Sequence, residues 1–262
     1  MKQKLYQVDA FADRLFEGNP AAVCPLTEWL PDNKLQQIAM ENNLSETAYF
    51  VDEGDAYRLR WFTPAAEVDL CGHATLASAH VLFEHLHYNK SEITFKSNSG
   101  PLTVRKESGL LVMNFPISRG KEVDPPEKLM EALGTDAGNI FRAVDYMVVL
   151  DNEEQVRSLD PNFFLLNRIE TRGIIVTAPG SEHDFVSRFF APALGINEDP
   201  VTGSAHTMLA PYWSERMGKE QLKARQVSDR GGTVYCRMLG DRVEISGKAA
   251  TYLEGEITLP DE

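Results

Sequence analysis

The sequence predicts an α+β protein built from two similar domains, and three observations carry that prediction. Short alternating segments of strand character recur along the chain, clear helical stretches are few, and one stretch occurs twice. "RWFTPA" at 60–65 returns as "RFFAPA" at 188–193, an offset of 128 residues. A length of 262 residues suits two domains of ordinary size. The boundary falls between 1–116 and 117–262, with the last strand free to cross back to the N-terminal domain.

The elements follow in order. "KLYQVDAF" is the first strand, and "DNKLQQIAMENN" the first helix, with Asp32 as N-cap candidate and apolar residues at Leu35, Ile38 and Ala39. "TAYFV" and "YRLRWF" are strands. In the latter, Tyr57, Leu59 and Trp61 point one way and Arg58 and Arg60 the other, the period of a half-buried strand. "HATLASAHVLFEHLH" is a longer helix, followed by strands at "EITFKS", "GPLTVRK" and "GLLVMNF". The prolines and charges of "ISRGKEVDPPEKL" (117–129) mark a linker. Beyond it lie strands at "GIIVTA" and "DRVEISG" and a helix from "TGSAHTMLA" toward Met217, which Pro211 should kink.

The repeat extends past its first few residues. "AYRLRWFTPA" from Ala56 falls on "DFVSRFFAPA" from Asp184, and "ETAYFV" from Glu46 falls on "IIVTAP" from Ile174. A three-residue insertion then shifts the offset to 131, and Gly72-His73-Ala74 meets Gly203-Ser204-Ala205, each expected to open a helix. Two such units facing each other would aim both helix N-termini into the intervening cleft. Unpaired N–H groups and the positive dipole ends there suit a carboxylate or another small anion.

Composition removes several classes. A formal charge of −13 opposes a nucleic-acid partner, which needs clustered Lys and Arg. No segment approaches the roughly 20 apolar residues of a membrane span, and no apolar stretch follows the lysines of "MKQKLYQVDAF" as in a secretory signal, so a cytoplasmic protein is expected. Cys24, Cys71 and Cys236 are scattered and odd in number, giving neither a disulfide framework nor a zinc knuckle. The histidine spacings give no metal set, so His80, His85, His87, His183 and His206 are expected to be surface or capping residues. Neither nucleotide-binding glycine motif is present, so no cofactor is implied.

Chemistry is expected where the copies differ. Glu46 sits in an apolar strand, where burial disfavours a charged carboxyl group and suits it to general acid or base work. The alternative is an edge-strand glutamate facing water. His73 follows the first glycine, and Ser204, a routine helix-capping type, takes the matching place after the second. Asp199 in "NEDPVTGSA" offers a base, an orienter of His73, or a turn former ahead of Pro200. Cys71 faces Thr202 across the alignment, and threonine cannot act as a base near neutral pH, which disfavours a two-thiol racemase.

The motifs "DAFADRLFEGNPAAV", "LSETAYF", "FTPAAEVDLCGHATLASAHVLF", "FFAPALGINEDPVTGSAH" and "ISGKA", in order over almost the whole chain, resemble the PhzF family of phenazine-biosynthesis-like proteins. That resemblance implies the diaminopimelate epimerase fold: two similar domains, each a curved or barrel-like sheet around a central helix, with the active site between them. It also implies catalytic roles for Glu46, His73, Asp199 and Ser204. Glu46 would be the proton shuttle of a cofactor-free isomerisation, which in the family acts on a dihydro-hydroxyanthranilate. Gly72, Thr202 and Gly203 would help hold a small anionic metabolite, and Asn19 of "GNP" resembles a position lining the same cleft. Many members are dimers, which leaves a homodimer as the assembly to test. Two alternatives stand beside this expectation: a Cys71-dependent epimerase, racemase or dehydratase, and a binding protein of the same fold without chemistry.

Overall fold

The computed structural model describes residues 1–136 and 138–260. The chain forms two compact units: residues 1–114 together with those from Ser246 onward, and Phe115–Ile245.

In the first unit the strand Lys2–Ala10 lies antiparallel to Asn19–Leu26 on one side and to Ala249–Thr258 on the other. Asn19–Leu26 runs parallel to Glu46–Asp52, which pairs antiparallel with Tyr57–Phe62. The ladder continues from Tyr57–Phe62 in parallel to Glu92–Ser97, then antiparallel through Gly100–Glu107 to Leu110–Pro116. Strands from across this ladder contact the helix Gly72–Glu84. Its Ala74, Leu76, Ala77, Ala79, Val81 and Leu82 are all buried, so the helix is apolar all round, as an element enclosed by a sheet must be. A second helix, Asp32–Asn42, packs Leu35 and Ile38 against Tyr49 and Phe62. Pro31 caps that helix, and Asp32 lies inside its first turn, where its carboxylate pairs with Arg60 at 2.9 Å. The N-cap expected at Asp32 is therefore one residue earlier.

The second unit repeats the pattern. Tyr146–Val149 runs parallel to Ile174–Pro179, which pairs antiparallel with Phe185–Ala191. That strand runs parallel to Gln221–Gln226, which pairs antiparallel with Gly232–Leu239. The central helix is His206–Met217, with Met208, Leu209, Ala210 and Trp213 buried. Matching ion pairs accompany the matching strands. Arg60 grips Glu67 with two bonds of 2.7 Å and lies 5.1 Å from the Phe62 ring centre; Arg188 grips Glu198 at 2.8 and 2.7 Å and lies 4.9 Å from Phe190.

Strand register corrects the alignment at one important place. Thr47 pairs with Phe62, whereas Ile174 pairs with Phe190, because the turn before Phe185 is one residue longer than the turn before Tyr57. Ile174 therefore corresponds to Thr47, and the counterpart of Glu46 is Gly173. One helix expectation also changes. The first helix begins at Gly72, but the second begins at His206, after turns in which His206, Thr207 and Met208 donate to Gly203, Ser204 and Ala205, the tighter three-residue spacing. Pro211 does not break its helix. The carbonyl it deprives of a partner, that of Thr207, accepts instead from the Ser118 backbone N–H at 2.9 Å. No helix among the described residues is long and apolar enough to cross a membrane.

Candidate active site

Glu46 begins a strand paired on both sides, so it is not on a sheet edge. Its side chain is only 14% exposed, which decides against a glutamate turned to water. The adjacent group is His73, buried in the first turn of the central helix, with Nε2 3.1 Å from Glu46 Oε2. Neither atom has another hydrogen-bonding partner, so both remain available to a bound molecule. On the far side of the ring, Nδ1 lies 3.2 Å from the Asn19 amide nitrogen and 3.6 Å from Cys71 Sγ. Asn19 is fully buried and starts its strand opposite Ala10. Its amide can donate to Nδ1 of a neutral ring or, turned over, accept from an imidazolium.

Burial alone would keep His73 neutral, but the Cys71 sulfur and the Glu46 carboxylate beside it outweigh burial and lift its pKa well above the ordinary histidine value. Cys71 is itself pushed above the ordinary thiol range, by burial first and by Glu46 second, and so remains an uncharged thiol. The resulting site sets the Glu46 carboxyl group against a ring whose charged form is favoured, with the Cys71 thiol behind it. Glu46, Cys71 and His73 also present three ligand atoms within 4.8 Å of one another, a donor set able to hold a metal ion. The first-turn N–H groups beginning at Gly72 lie outside the intrahelical ladder, and a Cβ built on Gly72 would meet nothing within 4 Å, leaving open space beside them.

The second unit holds the other sequence-predicted residues. Thr202 donates its hydroxyl to Asp199 Oδ2 at 2.5 Å. Fully buried Gln226 staples this loop, accepting from the Thr202 N–H at 2.9 Å and donating to the Asp199 carbonyl at 2.7 Å. Ser204, one residue past Gly203, accepts from Arg172 Nη1 at 3.1 Å. Arg172 is held by buried Asp145, through Nε to Oδ1 at 2.8 Å and a second bond from Nη2 to Oδ2. A side chain at Gly173 would place its Cβ 2.2 Å from the Phe189 ring, so a carboxylate where the first unit carries Glu46 would require that ring to move. His206 is fully buried, not a surface residue. Its Nδ1 bonds the Thr202 carbonyl at 2.9 Å, the contact that the Thr75 hydroxyl makes with Cys71 in the first unit, and burial lowers its pKa to about 4.

The structure thus gathers Asn19, Glu46, Gly72 and His73 in one cluster and Asp199, Thr202, Gly203 and Ser204 in another. Sequence reasoning missed Arg172, Asp145 and Gln226. The available signal for Arg172 was its place immediately before the glycine that replaces Glu46. It was hidden by the one-residue error in the repeat alignment.

Fold and site define a class: a duplicated α+β scaffold of the kind shared by diaminopimelate epimerase-like enzymes, with an acid–imidazole pair at the start of one central helix. A solved hydroxyproline epimerase from Agrobacterium vitis shares that fold, with a TM-score of 0.67 at 10% identity, covering 99% of this chain and 93% of the other. The model of the family described as phenazine biosynthesis-like protein, PhzC-PhzF, matches residues 8–255, and the chain belongs to that family. A Pseudomonas aeruginosa protein named as an uncharacterized isomerase is 52% identical, covering 99% of this chain and all of the relative. The crystal structure of a PhzF-family protein from Enterococcus faecalis matches with a TM-score of 0.97 at 47% identity, covering 99% of this chain and 100% of that one. The protein is an isomerase.

Proposed function

We infer that this isomerase moves a proton within a small carboxylate-bearing metabolite without a cofactor, and that Glu46 is its single acid/base. The observation that carries this reading is the Glu46 carboxylate, largely buried and 3.1 Å from His73 Nε2 with no other partner for either atom. Glu46 takes a proton from a carbon beside a carbonyl or conjugated acid and returns it to another carbon. The departing proton leaves negative charge on the substrate, which the His73 ring and the N–H groups at the start of the Gly72 helix stabilise. Asn19 holds the ring from its other nitrogen. Thr202 and Ser204, the last supported by Arg172, are assigned to holding the anionic substrate, and Asp199 to orienting the Thr202 hydroxyl, whose hydrogen bond it accepts.

Cys71 is the less favourable base, because burial keeps it protonated. A metal-assisted variant of the same chemistry is favoured by one observation, the Glu46–Cys71–His73 donor set. Proton NMR of candidate small carboxylates, including a dihydro-hydroxyanthranilate, in heavy water tests the reading. Deuterium should enter a carbon position with the wild type and not with Glu46→Gln. Exchange that survives Glu46→Gln and disappears with Cys71→Ala assigns the chemistry to the thiol. Ligands that bind without exchange under either protein assign the protein to binding alone.

A further inference from the structure

The second unit contains a cavity of about 360 Å³ away from the residues given chemical roles above. It lies beside the C-terminal half of the central helix, and Tyr212 and Arg216 in its wall are two to three turns beyond Ser204, roughly 12–18 Å at 1.5 Å per residue. Its volume falls in the range of small-molecule sites, about 300–1,000 Å³.

The wall is built, not incidental. Pro211 removes one helix N–H, the freed Thr207 carbonyl takes the Ser118 N–H, and this fixes the next two residues, Arg119 and Gly120, across from Pro211 as part of the lining. Gly120 packs directly on the floor of the cavity: a Cβ there would lie 2.3 Å from Met208 Cε and 3.1 Å from Phe141 Cβ, so a side chain would displace the thioether. The floor is apolar: Met147 and Met208 are buried, and the Phe141 and Tyr212 rings stand 5.2 Å apart. Two guanidinium groups, Arg119 and Arg216, rim it. The ion pair of Arg119 with Glu215 is long, at 3.8 Å between exposed side chains, and holds it weakly.

The same place is hollow in the first unit, although its chemistry differs. At the 131-residue offset Pro211, Glu215 and Arg216 correspond to His80, Glu84 and His85. Those three line a cavity of about 500 Å³ together with Lys106 and Lys248, and both imidazoles bond the Thr251 hydroxyl at 2.9 and 2.8 Å. A hollow beside the helix is therefore a property of the scaffold, and only the second copy has given it thioethers, aromatic rings and arginines.

We propose that this cavity is a binding site for a small carboxylate with an aromatic or branched apolar body, separate from the acid–imidazole site. The rings and thioethers receive the body, and the planar arginine forks receive the carboxylate.

Isothermal titration with benzoate as probe tests this on the full chain. Saturable binding is expected, with benzamide, which lacks the charge, at least about tenfold weaker. Arg119→Ala with Arg216→Ala should weaken benzoate by a similar factor, and Gly120→Ala should do so by driving the Met208 thioether into the cavity. Circular dichroism melting shows that each variant is folded. Glu46→Gln and Ser204→Ala should leave benzoate affinity unchanged. The proposal is overturned by any of three results: no saturable binding, equal affinity for benzamide, or loss of binding in Ser204→Ala with none in the double arginine variant.

Discussion

The two units keep the same skeleton and differ in what they place on it. Each has an arginine clamped bidentately to a glutamate beside a phenylalanine ring, at Arg60–Glu67–Phe62 and Arg188–Glu198–Phe190. Each starts its central helix with a side chain bonded back to a carbonyl, Thr75 to Cys71 and His206 to Thr202. At the register position of Glu46, however, the second unit has Gly173, pressed against the Phe189 ring. The frame is shared, and where the first unit places a carboxyl group the second has a glycine packed against a ring.

The largest expected effect tests that division directly. Glu46→Gln should lower turnover about 10²–10⁴-fold, the usual contribution of a positioned acid or base. Arg172→Met, by contrast, should act mainly on KM, by about tenfold or more, through the loss of a charged group and of support for Ser204. Steady-state kinetics separate the two, and a kcat collapse in Arg172→Met with an unchanged KM would break the comparison.

Next is the opposite pH behaviour of the two helix-start imidazoles. The folded pKa of His73 is raised, so its stabilisation is complete below the unfolded value and is lost as pH rises through the folded one. His206 is lowered to about 4. Its stabilisation is complete above about 6.5 and is lost as pH falls from there toward 4, a change of about 3 kcal/mol. Urea unfolding between pH 4 and 7 should show that slope, and His206→Asn should flatten it.

The paired arginines should respond unequally. Arg188 and Glu198 side chains are 12% and 18% exposed, against 18% and 29% for Arg60 and Glu67, and Arg188 also donates to the Leu159 carbonyl at 2.8 Å. Arg188→Met should cost about 3 kcal/mol and Arg60→Met about half that, because removing one partner of a more buried pair leaves the other charge more exposed to a low dielectric. Thermal melts of the two variants rank them, and equal losses would show the copies to be equivalent here. The smallest effect concerns metal: turnover after exhaustive chelation should stay within about twofold, whereas a metal held by Glu46, Cys71 and His73 would make it fall by orders of magnitude.

Much of this was legible in the residues. Alternation marked strands such as Tyr57–Phe62, and the doubled "FTPA"-like motif revealed two units. The Asn19–Leu26 strand was not legible, because it carries Pro20 and Pro25 and is buried on both faces, so it shows no alternation. Glu46 and His73 stood out by type, but their contact joins a strand to a helix 27 positions on in the sequence, a distance only folding supplies. Arg172 and Asp145 could not be seen as a pair, since each has significance only through the other and Ser204. The partner of the carbonyl that Pro211 frees was hidden for a similar reason: it is Ser118, far away in sequence.

The strand Ala249–Thr258 closes the first unit against Lys2–Ala10, and the Met1 and Leu259 backbones exchange bonds of 2.9 and 2.8 Å beyond it. On a ribosome this sets an order of events. The second unit, continuous from Phe115 to Ile245, has emerged in full while the first still lacks a central strand partner for Lys2–Ala10. The copy bearing Glu46 and His73 is started first and completed after the second unit, once Ala249–Thr258 can pair with Lys2–Ala10.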